Sequence, residues 1–326
     1  MTDIPPGDNR PEPHDDLPPS SDPSTQRTPQ DGPSAYRSAG NVRPPIPAGS
    51  QPPPGYPPPP GYLPPPWTPG ARAAAHAGPY DPLVSADYSG WWQRSIALLR
   101  AAWRPMAVVQ LIGSAPLVVF GIVTAVLLLT TDLADRLDEP AVAVPVILPI
   151  GLIAVLLTLI TQLATLETAV QRATGRPVSA AAAFRAGLRR SPAYIGWGIP
   201  AGLLFLVGVI CCILPAFYVG AVMTILPVIV LVERGGVLKR AFALFHGDLG
   251  SSVARVATLA ALQTVVGVAA NLGSILVFID PTGVSAGLLS VVFSIATGVL
   301  VTPFLLTTYA DMRARVEPFS TADLAR

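Results

Sequence analysis

Five long apolar stretches without any aspartate, glutamate, lysine or arginine constrain the fold more than any other feature. A membrane-spanning helix needs about 20 apolar residues. The third stretch is about twice as long as that and has Pro215 near its middle, so we expect two spans joined there by a tight turn. The sequence therefore predicts six transmembrane helices, which occupy 105–131, 140–166, 191–232 (two spans), 256–279 and 281–310.

Basic residues indicate how these helices are threaded. If the amino terminus is cytoplasmic, fifteen lysines and arginines fall in the inside segments and only Arg136 falls in an outside loop. This asymmetry follows the positive-inside rule, and it predicts a multi-pass plasma-membrane protein with both termini in the cytoplasm. The first 30 residues are polar and contain no apolar h-region, so we expect no cleavable signal peptide.

Residues 1–88 differ sharply from the rest of the chain. Twenty-five of the 38 prolines lie in the first 90 residues, where large apolar residues are few. Such a composition predicts a disordered, proline-rich cytoplasmic tail. Tyr56, Tyr62 and Trp67 interrupt its proline runs, and aromatic residues on a polyproline II segment are candidate contacts for a protein partner. The alternative is a plain spacer.

Three segments at the predicted inner surface, 91–104, 178–190 and 237–246, are amphipathic at helical spacing. We expect them to lie in the interface with their basic faces towards anionic head groups. Their recurrence before spans one, three and five suggests a threefold repeat as a hypothesis. The candidate lipid contacts are Arg94, Arg100, Arg104, Arg185, Arg189, Lys239 and Arg240. The predicted fold is an all-α polytopic membrane domain over 89–318, followed by a short cytoplasmic tail over 319–326.

Residues that carry chemistry are scarce. No Cys/His/Asp/Glu cluster has metal-ligand spacing, and we find no phosphate-binding or dinucleotide-binding motif. The adjacent Cys211 and Cys212 lie in an apolar run and are interpreted as inert thiols. We therefore predict no catalytic residue, no cofactor, no metal and no nucleic-acid partner.

Polar residues within the spans leave two interpretations open. Gln110, Gln162 and Asn271 can form hydrogen bonds between helices or line a transport pathway. Glu167 and Glu233 lie at the inner ends of spans two and four, either as charge balance or as a lateral site for a basic or polar partner. Gly198 and Gly202 form a Gly-x-x-x-Gly pair suited to close helix packing.

Six short motifs lie at Gly90–Ser95, Trp103–Pro105, Ala173–Ser179, Val232–Gly236, Leu238–Phe242 and Tyr309–Glu317. Together they resemble a family of bacterial, frequently actinobacterial, membrane proteins. The family is named for the membrane domain attached to some glycerophosphoryl diester phosphodiesterases, and its stand-alone members carry proline-rich tails. The resemblance implies a six-helix plasma-membrane domain of uncharacterised role. The family's separate catalytic barrel has no matching motif here, so no catalytic residue is transferred.

These observations predict a non-enzymatic integral membrane protein that acts as a scaffold or accessory factor. The alternatives are a lipid or small-molecule transporter, and a membrane partner of a separate glycerophosphodiester phosphodiesterase. A wide cavity lined by Gln110, Gln162 and Asn271 would favour transport, whereas a close-packed bundle would favour the scaffold.

Overall fold

The computed structural model describes residues 69–78, 80–131, 139–233, 235–276 and 284–325. Of these residues 88% are helical and none is in a strand. Six helical spans in this part of the chain are long and apolar enough to cross a membrane. The predicted all-α, six-span fold is thereby confirmed.

Nine α-helices and a short 3-10 helix are found within the described ranges. They are α1 (Pro69–Ala77), α2 (Tyr88–Thr130), α3 (Pro140–Ala173), α4 (Ala180–Cys211), α5 (Ile213–Met223), α6 (Leu226–Val232), α7 (Val237–Gly247), α8 (Leu249–Leu276), α9 (Val284–Val316) and the 3-10 helix Thr321–Ala325.

Two of the long helices begin at side-chain caps that the sequence encodes. Asp87 accepts a hydrogen bond from the Gly90 amide at 2.8 Å at the start of α2. Ser179 accepts one from the Ala182 amide at 3.3 Å at the start of α4. These caps satisfy amide groups that have no partner in the first turn of a helix.

The long third apolar stretch is divided as predicted. Its helix ends at Cys211, Cys212 is extended, and α5 begins at Ile213. Pro215 therefore lies in the first turn of α5, where its missing amide hydrogen costs no helical bond. The turn is tight, because a Cβ atom on Gly208 would lie 2.9 Å from the Ala216 nitrogen.

The fourth span is itself interrupted. α5 ends at Met223, Thr224 and Ile225 form a turn, and α6 continues to Val232. Pro227 lies in the first turn of α6, where its missing amide hydrogen costs no helical hydrogen bond. In an uninterrupted helix the same proline would remove one. The Thr224 hydroxyl donates to the Gly220 carbonyl at 3.0 Å.

Helix α9 lies at the centre of the bundle, where it contacts α2, α3 and α8 along with the shorter α1, α6 and α7. The main core gathers at the end where α2 begins and α9 ends, which we call the closed end. Met106, Ile229, Phe245 and Tyr309 are fully buried in this core. Large apolar side chains elsewhere are exposed, with Leu148 at 68% and Ile210 at 75%, as expected of surfaces that face lipid.

The three amphipathic segments are all helical, but they differ in their connection to the spans. The first two continue without a break into α2 and α4, whereas the third forms the separate helix α7. Each apolar face packs on the bundle in part: Trp91, Ala183 and Phe245 are buried, whereas Trp92, Trp103 and Leu188 are exposed. Trp91 meets Phe304 of α9 with 5.7 Å between ring centroids. Protein therefore covers part of the surface that was expected to face lipid.

Both ends of the membrane domain extend beyond their predicted limits. Helix α1 and the fully buried Leu83 and Val84 precede residue 88, the predicted end of the tail. Phe319 and Leu324 are buried within the predicted carboxyl-terminal tail. The packed domain therefore begins earlier and ends later than the composition suggests.

Close helix packing occurs at glycines other than the predicted pair. Cβ atoms on Gly198 and Gly202 would meet nothing within 4 Å in the described chain. A Cβ atom on Gly187 would instead lie 2.7 Å from the Ile160 carbonyl oxygen. The close approach of α3 and α4 therefore depends on Gly187.

Candidate functional site

A buried ion cluster joins three parts of the chain at the closed end. Asp311 of α9 is fully buried. Its Oδ2 forms ion pairs with Arg255 Nη2 and Arg315 Nε, both at 2.8 Å. Its Oδ1 accepts hydrogen bonds from the Ser85 amide at 3.1 Å and the Ser85 hydroxyl at 3.0 Å. This Asp311 cluster therefore fixes α8 and the segment before α2 onto α9.

Asp248 extends the cluster to the junction of α7 and α8. It forms an ion pair with Arg315, and its Oδ2 accepts a hydrogen bond from the Ser251 hydroxyl at 2.8 Å. Burial acts to raise the pKa of Asp248, but the hydrogen bonds from Ser251 and the charge of Arg315 outweigh it and hold the pKa below its usual value. The carboxylate is therefore stabilised in its charged form.

Asp81 links the two ends of the packed domain. Its Oδ1 accepts hydrogen bonds from the amides of Leu83 and Val84, both at 2.9 Å. The same carboxylate accepts the Thr321 amide at 2.8 Å and the Thr321 hydroxyl at 2.6 Å. The segment that leads into α2 is thus bound directly to the carboxyl-terminal 3-10 helix.

A second group, the Glu233 cluster, lies between α6, α7 and α9. Glu233 accepts hydrogen bonds from Tyr309 at 2.6 Å and from Arg240 Nε at 2.9 Å. Glu317 receives Arg240 Nη2 and Arg313 Nε, both at 2.5 Å. Burial acts to raise the pKa of Glu317, but the bonds from Arg313 and Arg240 outweigh it and lower the pKa. Two arginines and two carboxylates therefore neutralise one another.

A third group surrounds Glu167 near the end of α3. Glu167 Oε1 accepts hydrogen bonds from Gln171 and Arg176, each at 3.2 Å. Beside it is a cavity of about 470 Å³, which we call the Glu167 cavity. Its lining residues are Glu167, Ala186, Arg189, Arg190 and Leu231. Helices α3, α4 and α6 therefore share this polar space.

The predicted site residues divide into three groups. Tyr56, Tyr62 and Trp67 lie outside the described residues. Arg94 and Arg240 are half-buried, and Arg240 binds Glu233 and Glu317. The remaining candidate lipid contacts are exposed, and their contact with lipid stays a prediction: Arg100, Arg104, Arg185, Arg189 and Lys239.

The structure does not bring together the three polar residues whose common cavity would favour transport. Gln110 is buried so tightly that a Cβ atom on Gly298 would lie 1.9 Å from its Nε2. Gln162 is exposed. Asn271 lines a groove of about 380 Å³ between α8 and α9, whose polar lining also includes Ser290, Ser294 and Thr297.

An apolar groove of about 420 Å³ lies between the α4–α5 hairpin and α8. Its lining is apolar apart from Thr224, whose hydroxyl is already bonded to Gly220. Cys211 and Cys212 are exposed free thiols. Across the ranges that the structure describes, no three His, Cys, Asp or Glu side chains form a group that could hold a metal ion.

Sequence reasoning did not identify the residues that organise the closed end, including Asp81, Ser85 and Asp311. A partial signal is present in α9, where Asp311 and Arg315, and Arg313 and Glu317, are spaced i,i+4 and form ion pairs. Comparison of the chain with protein-family models, curated proteins and solved structures gives no match.

Proposed function

We propose that this protein is a non-enzymatic scaffold of the plasma membrane that presents its proline-rich tail to a cytoplasmic protein. The observation that carries the proposal is the attachment of residues 81–85 to the bundle. Asp81 binds Thr321, and Ser85 binds the buried Asp311. A segment fixed in this way gives the preceding tail a defined starting point at the closed end.

The distribution of basic residues supports a lipid-contacting role for the same end. Several arginines in the packed region are already bound to carboxylates, as in the Asp311 and Glu233 clusters. Arg100, Arg104 and Lys239 are exposed instead. Each such cation near an anionic surface contributes about 1 kcal/mol of attraction. In this proposal the closed end and both termini lie on the cytoplasmic side.

The family resemblance agrees with this proposal, because it implies a stand-alone membrane domain with a proline-rich tail. It also suggests one class of partner, a glycerophosphodiester phosphodiesterase supplied by another chain. The tail residues proposed to contact a partner are Tyr56, Tyr62 and Trp67.

Transport is the second candidate function, and the Asn271 groove favours it. Asn271, Ser290 and Ser294 give polar surface to a groove between two otherwise apolar spans. Replacing Ser294 with leucine would narrow this groove without changing the tail. If the Ser294→Leu variant cannot replace the unmodified protein in cells, whereas a chain without the tail can, transport is favoured over scaffolding.

The test of the scaffold compares three proteins in native membranes: the full chain, a chain that starts at Pro69, and the full chain with Tyr56, Tyr62 and Trp67 changed to alanine. The cut at Pro69 keeps α1 and the residues that bind Asp311 and Thr321. We expect cross-linking to capture a cytoplasmic protein with the full chain and to lose it with both variants.

The captured protein must then bind the purified full chain, with an affinity that the triple alanine variant reduces. The three proteins must elute alike in detergent, so that the comparison reports docking and not misfolding. An identical set of captured proteins from all three would contradict the scaffold.

A further inference from the structure

We infer that the Glu167 cavity binds a phosphate group, carried by a phospholipid head group or by a small soluble phosphate ester. The inference deepens the lipid contact in the proposed function by naming a defined site for it. The cavity holds about 470 Å³ and is lined by two arginines of α4, Arg189 and Arg190. This volume lies within the range of about 300–1,000 Å³ that is typical of ligand sites.

The two arginines differ from the arginines of the Asp311 and Glu233 clusters in having no carboxylate partner. Within the described ranges, neither Arg189 nor Arg190 forms an ion pair or a side-chain hydrogen bond. Arg240, Arg255 and Arg315 are all paired with carboxylates. A guanidinium group offers a planar set of donors that matches the oxygens of phosphate. Two such groups at one cavity therefore favour an anion with several oxygens.

The carboxylate in the cavity wall does not cancel this preference. Glu167 binds Arg176 at 3.2 Å and also accepts a hydrogen bond from Gln171. Its negative charge is therefore offset by Arg176 before any ligand arrives. The charges of Arg189 and Arg190 remain as the excess, and the site is cationic overall.

The walls of the cavity are held in place by helix packing. Helices α3 and α4 approach so closely that a Cβ atom on Gly187 would lie 2.7 Å from Ile160 O. Gln171 also binds the Ser179 amide at 3.0 Å, which fixes the turn between the two helices. Ala186 and Leu231 give the cavity an apolar part, which suits the glycerol carbons next to a head-group phosphate. A preformed site loses less freedom when its ligand binds.

The experiment uses the purified full chain in dodecylmaltoside and in nanodiscs. The probes are inorganic phosphate, glycerol 3-phosphate, and nanodiscs of phosphatidylcholine with or without phosphatidylglycerol. R189Q/R190Q is compared with R100Q/R104Q, which removes the same charge from exposed positions of α2. A third variant, Ala186→Leu, fills the cavity without changing its charge. Elution profile and melting temperature establish that each variant is folded.

We expect R189Q/R190Q and Ala186→Leu to weaken phosphate binding by at least about tenfold, the effect of losing one charged hydrogen bond. R100Q/R104Q should change the binding of inorganic phosphate and glycerol 3-phosphate less than threefold. Binding of glycerol 3-phosphate would identify a soluble ester as a ligand, whereas retention of phosphatidylglycerol alone would identify a head-group site. Equal losses of inorganic phosphate binding in the two double variants, or no phosphate-dependent binding at all, would overturn the inference. Tail-dependent capture should be unchanged in R189Q/R190Q, so the site and the scaffold can fail separately.

Discussion

Replacing Asp311 with asparagine should destabilise the protein more than any exposed charge substitution. Asp311 is fully buried and binds both Arg255 and Arg315 at 2.8 Å. Removing one partner of a buried ion pair costs about 3–5 kcal/mol. Arg315 keeps Asp248 as a second carboxylate, so most of the cost comes from the stranded Arg255. We therefore expect a loss of about 3 kcal/mol in the free energy of unfolding.

The free energy can be measured by equilibrium unfolding in dodecylmaltoside–SDS mixed micelles, followed by tryptophan fluorescence. Trp91 is a suitable probe, because it is fully buried and its ring lies 5.9 Å from the Arg255 guanidinium carbon. Glu139→Gln is the matched control. Its carboxylate is exposed and makes no capping hydrogen bond, so the control should change stability by less than about 0.5 kcal/mol.

A double-mutant cycle distinguishes charge stranding from a general packing defect. Arg255→Met should be destabilising alone, but the double variant with Asp311→Asn should lose less than the sum of the single losses. The double variant lacks both the Asp311 carboxylate and the Arg255 guanidinium, so neither group stays buried without its partner. The reasoning is refuted if Asp311→Asn costs less than about 1 kcal/mol, or if the two losses simply add.

Three further predictions test packing, titration and topology. Gly187→Leu should cost about 1–3 kcal/mol in the same unfolding assay, because its side chain meets the α3 backbone, whereas Gly198→Ala should be tolerated; equal losses would contradict this. The lowered pKa of Glu317 means that its stabilising effect is present above about pH 4.5 and is lost as the pH falls through the lower folded-state value. E317Q should therefore flatten the acid limb of a stability–pH curve, and an unchanged limb would contradict that origin. Cys211 and Cys212, the two cysteines of the chain, lie between the third and fourth spans and should react with an impermeant maleimide from outside intact cells; labelling only after lysis would contradict the proposed threading.

The positions of the spans were predictable because membrane insertion depends on local composition. An uncharged apolar stretch of about 20 residues can form a membrane-spanning helix, whichever other helices pack beside it. Pro215 in the long third stretch also predicted the break between two spans. The break lies at Cys212, three residues before that proline. The second interruption, at Thr224 and Ile225, has a comparable local signal in Pro227, but a single proline within a span is also compatible with a kink.

The ion clusters were not predictable, because their members meet only through the packing of separate helices. Asp311 and Arg315 are one turn apart and can be paired from the sequence. Ser85 and Arg255 join them from positions 226 residues and 56 residues away along the chain. Their pairing depends on how α8 and the segment before α2 pack on α9, and hydrophobic periodicity does not determine that.

The amphipathic helices show why a basic stripe has to be assigned one residue at a time. Periodicity identifies which face of a helix is apolar, but protein or lipid can cover that face. In α7, Lys239 is exposed, whereas its neighbour Arg240 binds Glu233 and Glu317. Consecutive residues are 100° apart around a helix, so one of them faces outward and the other faces the carboxylates that directly follow α6 and α9. Arg240 is therefore expected to stabilise the fold, and Lys239 to contact lipid; K239Q should weaken binding to phosphatidylglycerol nanodiscs without lowering stability, and R240Q should do the reverse.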